Sequence, residues 1–282
     1  MIPAQFDYAA PTSVEEALSL MAEHGDEAKI IAGGQSLLPV LRMRLNAPEW
    51  VIDLGRIDSL RGITDDGDAI QIGAMTTHHD VLHDALVAEH ALLITKATEH
   101  LADAQVRHRG TFGGALAHAD PAGDLGAPVL ALGAEFVIQG PGGTRTVGAK
   151  EFFVGLFETA IGEDELLIAV RIPKHTGWGA HYEKFVRVAH QWPIVAVAAT
   201  VQMSGDSIAE ARIGLTNMGS TPVRASATED ALRGAGPDAV RAAADLAADG
   251  TRPPSDLNGD ADYRKHLATV LTRRAVEAAA KG

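Results

Sequence analysis

The chain has no cysteine among its 282 residues. Without a thiol it can form no disulfide, hold no iron-sulfur cluster and build no thiolate zinc site, so any redox chemistry must come from a bound cofactor. Clusters of lysine and arginine are also missing, and the formal charge is -13. Nucleic acids and anionic membranes are both gripped by cationic surface facing phosphate, so neither is an expected partner. No run approaches the roughly 18 apolar residues that span a bilayer. The start, Met1-Ile2-Pro3-Ala4-Gln5-Phe6-Asp7, has no basic region followed by an apolar one. A cytoplasmic protein is expected.

What is present suits an ordinary folded protein: 46% hydrophobic and 22% charged residues can bury a sizeable core, and the length fits about two domains. Thr12-Ser13 can cap a helix carrying Val14, Ala17, Leu18 and Met21 at helical spacing, with Gly25 at its end. Lys29 to Ala32 reads as a short strand, followed by Gly33-Gly34 and a helix from Ser36 to Met43 that tolerates Pro39 only in its first turn. Val51 to Leu54 and Ala69 to Gly73 read as strands, Thr77 to Leu86 and Ala88 to Leu101 as helices. Pro128 to Leu132 reads as helix, Glu135 to Ile138 and Leu166 to Pro173 as strands, and Gly140-Pro141-Gly142-Gly143 as a hairpin turn. A domain boundary falls in the polar stretch 174–179. After it, Ala180 to Val188, Ile194 to Met203 and Ile208 to Thr216 read as three antiparallel strands, and 226–246 and 263–280 as helices. The fold class is α+β.

Two glycine pairs stand out, in Ala32-Gly33-Gly34-Gln35-Ser36 and in Thr111-Phe112-Gly113-Gly114-Ala115. Paired glycines permit positive φ and let a ligand approach the main chain, so successive N–H groups can converge on phosphate oxygens, with Ser36 and Thr111 as hydroxyl donors. A helix starting after the first pair adds unpaired amides and partial positive charge. The first loop fits neither the dinucleotide pattern GxGxxG nor the triphosphate loop ending in Gly-Lys-Ser/Thr. A lone Gly-Gly would read as a tight turn. Two similar loops, each beside a hydroxyl, favour a phosphate-bearing ligand.

The longer stretches Ala32-Gly33-Gly34-Gln35-Ser36-Leu37-Leu38-Pro39, Asp103-Ala104-Gln105-Val106-Arg107 and Leu116-Ala117-His118-Ala119-Asp120-Pro121-Ala122-Gly123-Asp124 carry a more specific signal. In order and spacing the chain resembles the flavoprotein family of the molybdenum hydroxylases over essentially its whole length, and within it the medium subunits of aerobic carbon monoxide dehydrogenase. The resemblance implies a two-lobed FAD-binding domain of the PCMH type over 1–176, with lobes of about 1–57 and 58–176 and non-covalent FAD between them. A C-terminal domain with a three-stranded antiparallel sheet and helices follows over 177–282.

By the same resemblance Ala32, Gly33, Gly34, Gln35, Ser36 and Leu37 form one pyrophosphate loop, and Thr111, Phe112, Gly113, Gly114 and Ala115 the other. Leu101 is implied at the adenine side or ring environment and Asp124 as a hydrogen-bond partner of the cofactor. Leu167 is implied to contact the flavin by its backbone, Lys184 to lie near the isoalloxazine and Trp192 to cover the flavin face. Ala115 departs from the family, which often has asparagine there; the lost hydrogen bond costs on the order of 1 kcal/mol.

The implied mechanism has a large subunit oxidising substrate at its molybdenum cofactor and a small subunit with two 2Fe-2S clusters relaying electrons. FAD on this chain collects them for a quinone, a cytochrome or oxygen, in a dimer of heterotrimers. The zero cysteine count excludes both the extra four-iron cluster of some relatives and a flavin bound through cysteine. Membrane association, if any, would come through the electron acceptor. Carbon monoxide, nicotine, purine and aldehyde substrates stay open, as do a self-contained flavin oxidase of this fold and a scaffold that has lost FAD.

Rival readings rest on single features. His79 and His83, four apart on a helix, could bind zinc. They lack an obvious third ligand, and Thr77 with Asp80 reads instead as a helix start on a solvated face. His118 beside Asp120, and His108 beside Arg109, invite a general-base reading, but their place in the cofactor loop favours phosphate or loop-shaping roles, and a merely structural histidine is the leading alternative. Asp124 alone would read as a helix N-cap, and Trp192 equally as a domain-core residue. No catalytic residue and no metal ligand is expected on this chain.

Overall fold

A computed structural model describes residues 2–282. The first lobe is a small parallel sheet built from β1 (Asp7–Ala9), α1 (Val14–His24), β2 (Ala28–Ile31), α2 (Leu37–Arg42) and β3 (Trp50–Asp53), with strand order β1-β3-β2. Parallel neighbours need crossovers, which α1 and α2 supply. The cap on α1 is the expected one: the Ser13 hydroxyl accepts the Glu16 amide, and Gly25 ends the helix at φ 51°.

The second lobe is a five-stranded antiparallel sheet of β4 (Ile63–Asp66), β5 (Ala69–Gly73), β6 (Glu135–Gly140), β7 (Gly143–Gly148) and β10 (Leu166–Pro173), in the order β4-β5-β10-β6-β7. Six short helices lie between β5 and β6: α3 (His78–His83), α4 (Ala85–His90), α5 (Leu92–Glu99), α6 (Ala104–Arg107), α7 (Phe112–His118) and α8 (Gly126–Leu132). The two long helices expected over 77–101 are therefore three. Asp84 breaks the first by accepting the Leu86 and Val87 amides, which starts a new helix, and Ala91 breaks the second. A one-turn α9 (Ala149–Phe152) and the ribbon β8 (Phe153–Gly155) and β9 (Glu158–Thr159) complete the lobe.

The C-terminal unit carries the three expected strands, β11 (Gly179–Phe185), β12 (Val195–Ser204) and β13 (Ser207–Thr216), and a two-residue fourth, β14 (Val223–Arg224). The helix expected over 226–246 is α10 (Ser226–Leu232) and α11 (Val240–Ala244), interrupted by Gly234 at φ 74° and Pro237; α12 (Ala261–Ala279) follows. Side chains alternate across a strand. Ala196 and Ala198 of β12 join the core of the second lobe, while Val195, Val197 and Ala199 join the C-terminal core that includes Leu271 and Val276 of α12. At Gly214 a β-carbon would stand 2.3 Å from the Ala127 carbonyl oxygen, so β13 packs backbone to backbone on α8.

Candidate functional site

The two glycine loops touch. A β-carbon on Gly33 would stand 2.2 Å from the Arg109 carbonyl oxygen and 2.7 Å from Gly110 Cα, and one on Gly114 would stand 3.2 Å from Ala32 Cβ. Gly34 has φ +74°, the left-handed region that favours glycine. Among the described residues no protein acceptor takes the amides of Gly34, Gln35, Ser36 or Leu37, and Ser36 makes no side-chain cap to α2. Four consecutive amides and a hydroxyl are thus left for a ligand or water. A six-residue helix adds little dipole, so these local donors dominate.

The second loop is built differently. The Thr111 hydroxyl caps α7 by accepting the Gly114 amide at 3.2 Å, which leaves its own O–H free to donate. Phe112 is fully buried and its amide donates to the Thr76 carbonyl, while the Gly113 amide donates to Ala74. Gly113 is glycine because a β-carbon would stand 2.5 Å from that of Ala74, which is a packing reason. The Ala115 amide donates to the Thr111 carbonyl. This loop offers the Thr111 hydroxyl and a bare glycine surface; its amides beyond Thr111 are taken.

Beside the meeting point lies a cavity of about 250 Å³, lined by Ala32, Gly33 and Thr111 together with Arg56, Arg61 and Arg109. Three arginines at this cavity, one of which, Arg61, donates to the Met75 and Gly55 carbonyls, concentrate positive charge beside the loops of a chain of charge -13 and fit a phosphate-bearing cofactor. The acidic residue there, Asp53, is engaged by the Tyr8 hydroxyl at 2.7 Å and the Gly55 amide at 2.8 Å.

Helix α7 leads to the second part of the site. Asp124 does not cap α8, whose N-cap is Leu125 without a side-chain bond. Its carboxylate accepts the Tyr182 hydroxyl at 2.7 Å and the Lys184 ammonium at 2.9 Å, and Lys184 also donates to the His100 carbonyl at 3.1 Å. Both charged side chains are buried, at 9% and 8% exposure, so the ion pair must replace water for both. Burial pushes the Asp124 carboxyl above its ordinary value against the opposing pull of Lys184, and burial with the Asp124 charge pushes the Tyr182 phenol well up. Leu101, next to His100, is buried, and its carbonyl accepts Arg107 at 2.9 Å. Tyr182 was not among the expected site residues. Its signal was the strand period, which puts it on the same face as Lys184.

Two expected residues, Leu167 and Trp192, make no side-chain hydrogen bond to these groups, although Leu167 shares the core cluster of Leu101, Phe112 and Tyr182. Leu167 lies at an irregularity of the β10–β6 pairing and pairs with Ile138; β5 begins its pairing with β10 only at Ala169. Trp192 is 63% exposed, which removes the domain-core alternative. It sits in the loop between β11 and β12, where His190 approaches Asp103 at 3.9 Å.

The histidines of the rival readings make local contacts. Thr77 caps α3 by accepting the Asp80 amide, as expected. His83 Nδ1 bonds the His79 carbonyl at 2.7 Å, His79 stacks on His108 with centroids 3.9 Å apart, and no metal-holding group of His, Asp or Glu occurs among the described residues. His118 packs on Phe157, centroids 5.1 Å apart, while Asp120 accepts the Ala122 amide.

Phosphate-suited loops and a buried carboxylate–ammonium pair, on a two-lobed α+β scaffold with an added sheet domain, fit a protein that binds a phosphate-bearing cofactor. The pattern described as "FAD binding domain in molybdopterin dehydrogenase" matches residues 4–175, and "CO dehydrogenase flavoprotein C-terminal domain" matches 180–279. The chain is 41% identical to the carbon monoxide dehydrogenase medium chain of Hydrogenophaga pseudoflava, over 99% of this chain and 98% of that one. It is 38% identical to the nicotine 6-hydroxylase medium subunit of Paenarthrobacter nicotinovorans, over 97% of each. In structure it is similar to carbon monoxide dehydrogenase from Hydrogenophaga pseudoflava (TM-score 0.96, 43% identity, covering 100% of this chain and 99% of that chain). Quinoline 2-oxidoreductase from Pseudomonas putida 86 gives a TM-score of 0.95 at 34% identity, with the same coverage.

The chain belongs to the flavoprotein family of the molybdenum hydroxylases. It is an FAD-binding oxidoreductase subunit, and none of its described helices is long and apolar enough to cross a membrane.

Proposed function

We propose that this chain is the medium subunit of an aerobic carbon monoxide dehydrogenase. The observation that carries the reading is full-length identity of 41% to two carbon monoxide dehydrogenase medium chains, together with a pair of phosphate-suited loops in contact. A large subunit oxidises the substrate, a small subunit with two 2Fe-2S clusters relays the electrons, and this chain hands them to a quinone, a cytochrome or oxygen. The assembly is a dimer of such heterotrimers in the cytoplasm, touching a membrane only through the acceptor. The chain divides into an FAD domain over 1–176 and a C-terminal domain over 177–282.

When bound, FAD supplies one-electron acceptance coupled to two-electron release. The chain's own residues bind and orient it. The amides of Gly34 to Leu37, with the Ser36 and Thr111 hydroxyls, hold the pyrophosphate, while Ala32, Gly33 and Gln35 shape the first loop and Phe112 to Ala115 the second. Asp124, held between Tyr182 and Lys184, and the backbone of Leu167 orient the ring end. Leu101 packs beside the cofactor, and Trp192 covers the flavin face and excludes water.

The test is to purify the native assembly, identify its companion chains and metals, and expose it anaerobically to carbon monoxide. Flavin bleaching by carbon monoxide, with molybdenum and iron-sulfur companions present, supports the reading. Bleaching by nicotine, a purine or an aldehyde instead assigns another hydroxylase of the family, and turnover by the isolated chain assigns a self-contained oxidase.

A further inference from the structure

Asn217 stands at the end of β13 with φ +62°, in the left-handed region. Its backbone amide donates to the Pro121 carbonyl at 2.9 Å. Its side-chain Nδ2 donates to the Pro193 carbonyl at 2.9 Å and the Ile194 carbonyl at 3.3 Å. Pro121 lies in the turn that leads to Asp124, a turn closed by the Ala122 and Gly123 amides on Asp120. Pro193 follows Trp192, and the Ile194 amide donates to the Phe185 carbonyl at 2.9 Å, closing the loop that starts just after Lys184. One residue of the C-terminal unit therefore grips both loops that flank the Asp124–Lys184 pair.

The chemistry of the position is narrow. Among residues with a β-carbon, asparagine is one of the few that visits positive φ readily. Only the NH₂ end of its amide can face two carbonyl oxygens, which fixes the side-chain orientation. Glycine would satisfy the backbone without the donors, and aspartate would turn a carboxylate against two acceptors. The Ile194 carbonyl also accepts from the fully buried Arg264, itself paired with Asp256 at 2.8 Å, so this end of the loop is anchored twice.

We infer that Asn217 is a positioning residue that fastens the Asp124 loop to the Trp192 loop and thereby sets the surroundings of the flavin ring. The inference rests on the assignment of Asp124 and Trp192 to the cofactor proposed above.

The test uses the full-length chain loaded with FAD, as wild type, N217G, N217D, W192L and N217G/W192L. Flavin fluorescence yield and visible-region circular dichroism report the ring environment, and thermal midpoints report the fold. N217G keeps the backbone conformation and loses two hydrogen bonds, so FAD affinity should fall about tenfold, with fluorescence rising toward that of W192L. N217D should lose more. Adding N217G to W192L should change the fluorescence no further, because both remove the same contact. If W192L moves the ring signals while N217G and N217D leave them unmoved, Asn217 does not position the loops, even if the thermal midpoint drops. If W192L leaves the ring signals unchanged, the placing of Trp192 at the flavin fails first and the inference falls with it.

Discussion

Replacing Gly33 with alanine adds a single carbon where the two glycine loops meet. That carbon would stand 2.2 Å from the Arg109 carbonyl oxygen and 2.7 Å from Gly110 Cα. Both are backbone atoms, so no rotamer change relieves the clash. Ordinary contact lies near 3.5–4.0 Å, which means the loops must part by roughly 1 Å. Overpacking of this kind costs about 1–3 kcal/mol. A cofactor bridging the loops needs their close approach, so part of that cost appears as lost affinity, where about 1.4 kcal/mol is tenfold. G33A should bind FAD roughly three- to tenfold more weakly, with the thermal midpoint lower by several degrees, roughly 2–4 °C per kcal/mol. The assay is titration of the full-length chain with FAD beside a thermal melt. G142A is the control, since a β-carbon there meets nothing within 4 Å. A G33A protein with wild-type affinity and midpoint would rule out a shared site, because loops that can part without consequence do not form one.

Three further outcomes follow from the same geometry. G113A drives a β-carbon to 2.5 Å from that of Ala74, so urea titration should show a loss of about 1–3 kcal/mol, and FAD affinity should suffer less than in G33A. K184M leaves the Asp124 carboxylate buried without its cation, at about 3–5 kcal/mol of stability, and D124N/K184M should recover part of it; chemical denaturation of the set checks this. His78 is held by burial at about 4 against an ordinary 6.5. A base with a depressed folded value contributes its full stability above 6.5 and loses it as pH falls toward 4. The expected loss is about 3 kcal/mol, read from urea midpoints across that window, and H78L should flatten the profile.

The sequence made the local features legible. Ser13 and Gly25 bound α1, the Gly140 to Gly143 turn joins β6 to β7, and the three long strands after residue 178 lie where the sequence reads as strand. The two glycine loops were visible as motifs, but their contact was not, because Gly33 against Arg109 is a long-range packing event with no local signature. The same holds for the reason behind each glycine: Gly113 looks like a ligand residue and is glycine because of Ala74. Asp124 was picked out, yet its partners Tyr182 and Lys184 lie across the fold on β11. Arg264 and Asn217 gave no signal, one on the buried face of α12 and the other at a strand end, since the loop carbonyls they bind are ones any sequence supplies. The helix break at Ala91 is a tertiary effect that periodicity does not carry.

FAD binding by this chain is tested most directly by the visible spectrum of protein purified under native conditions, followed by heat release and identification of the chromophore. A flavin spectrum with equimolar released FAD is the expected result. A colourless chain that fails to bind added FAD would contradict it and leave the two glycine loops as turns.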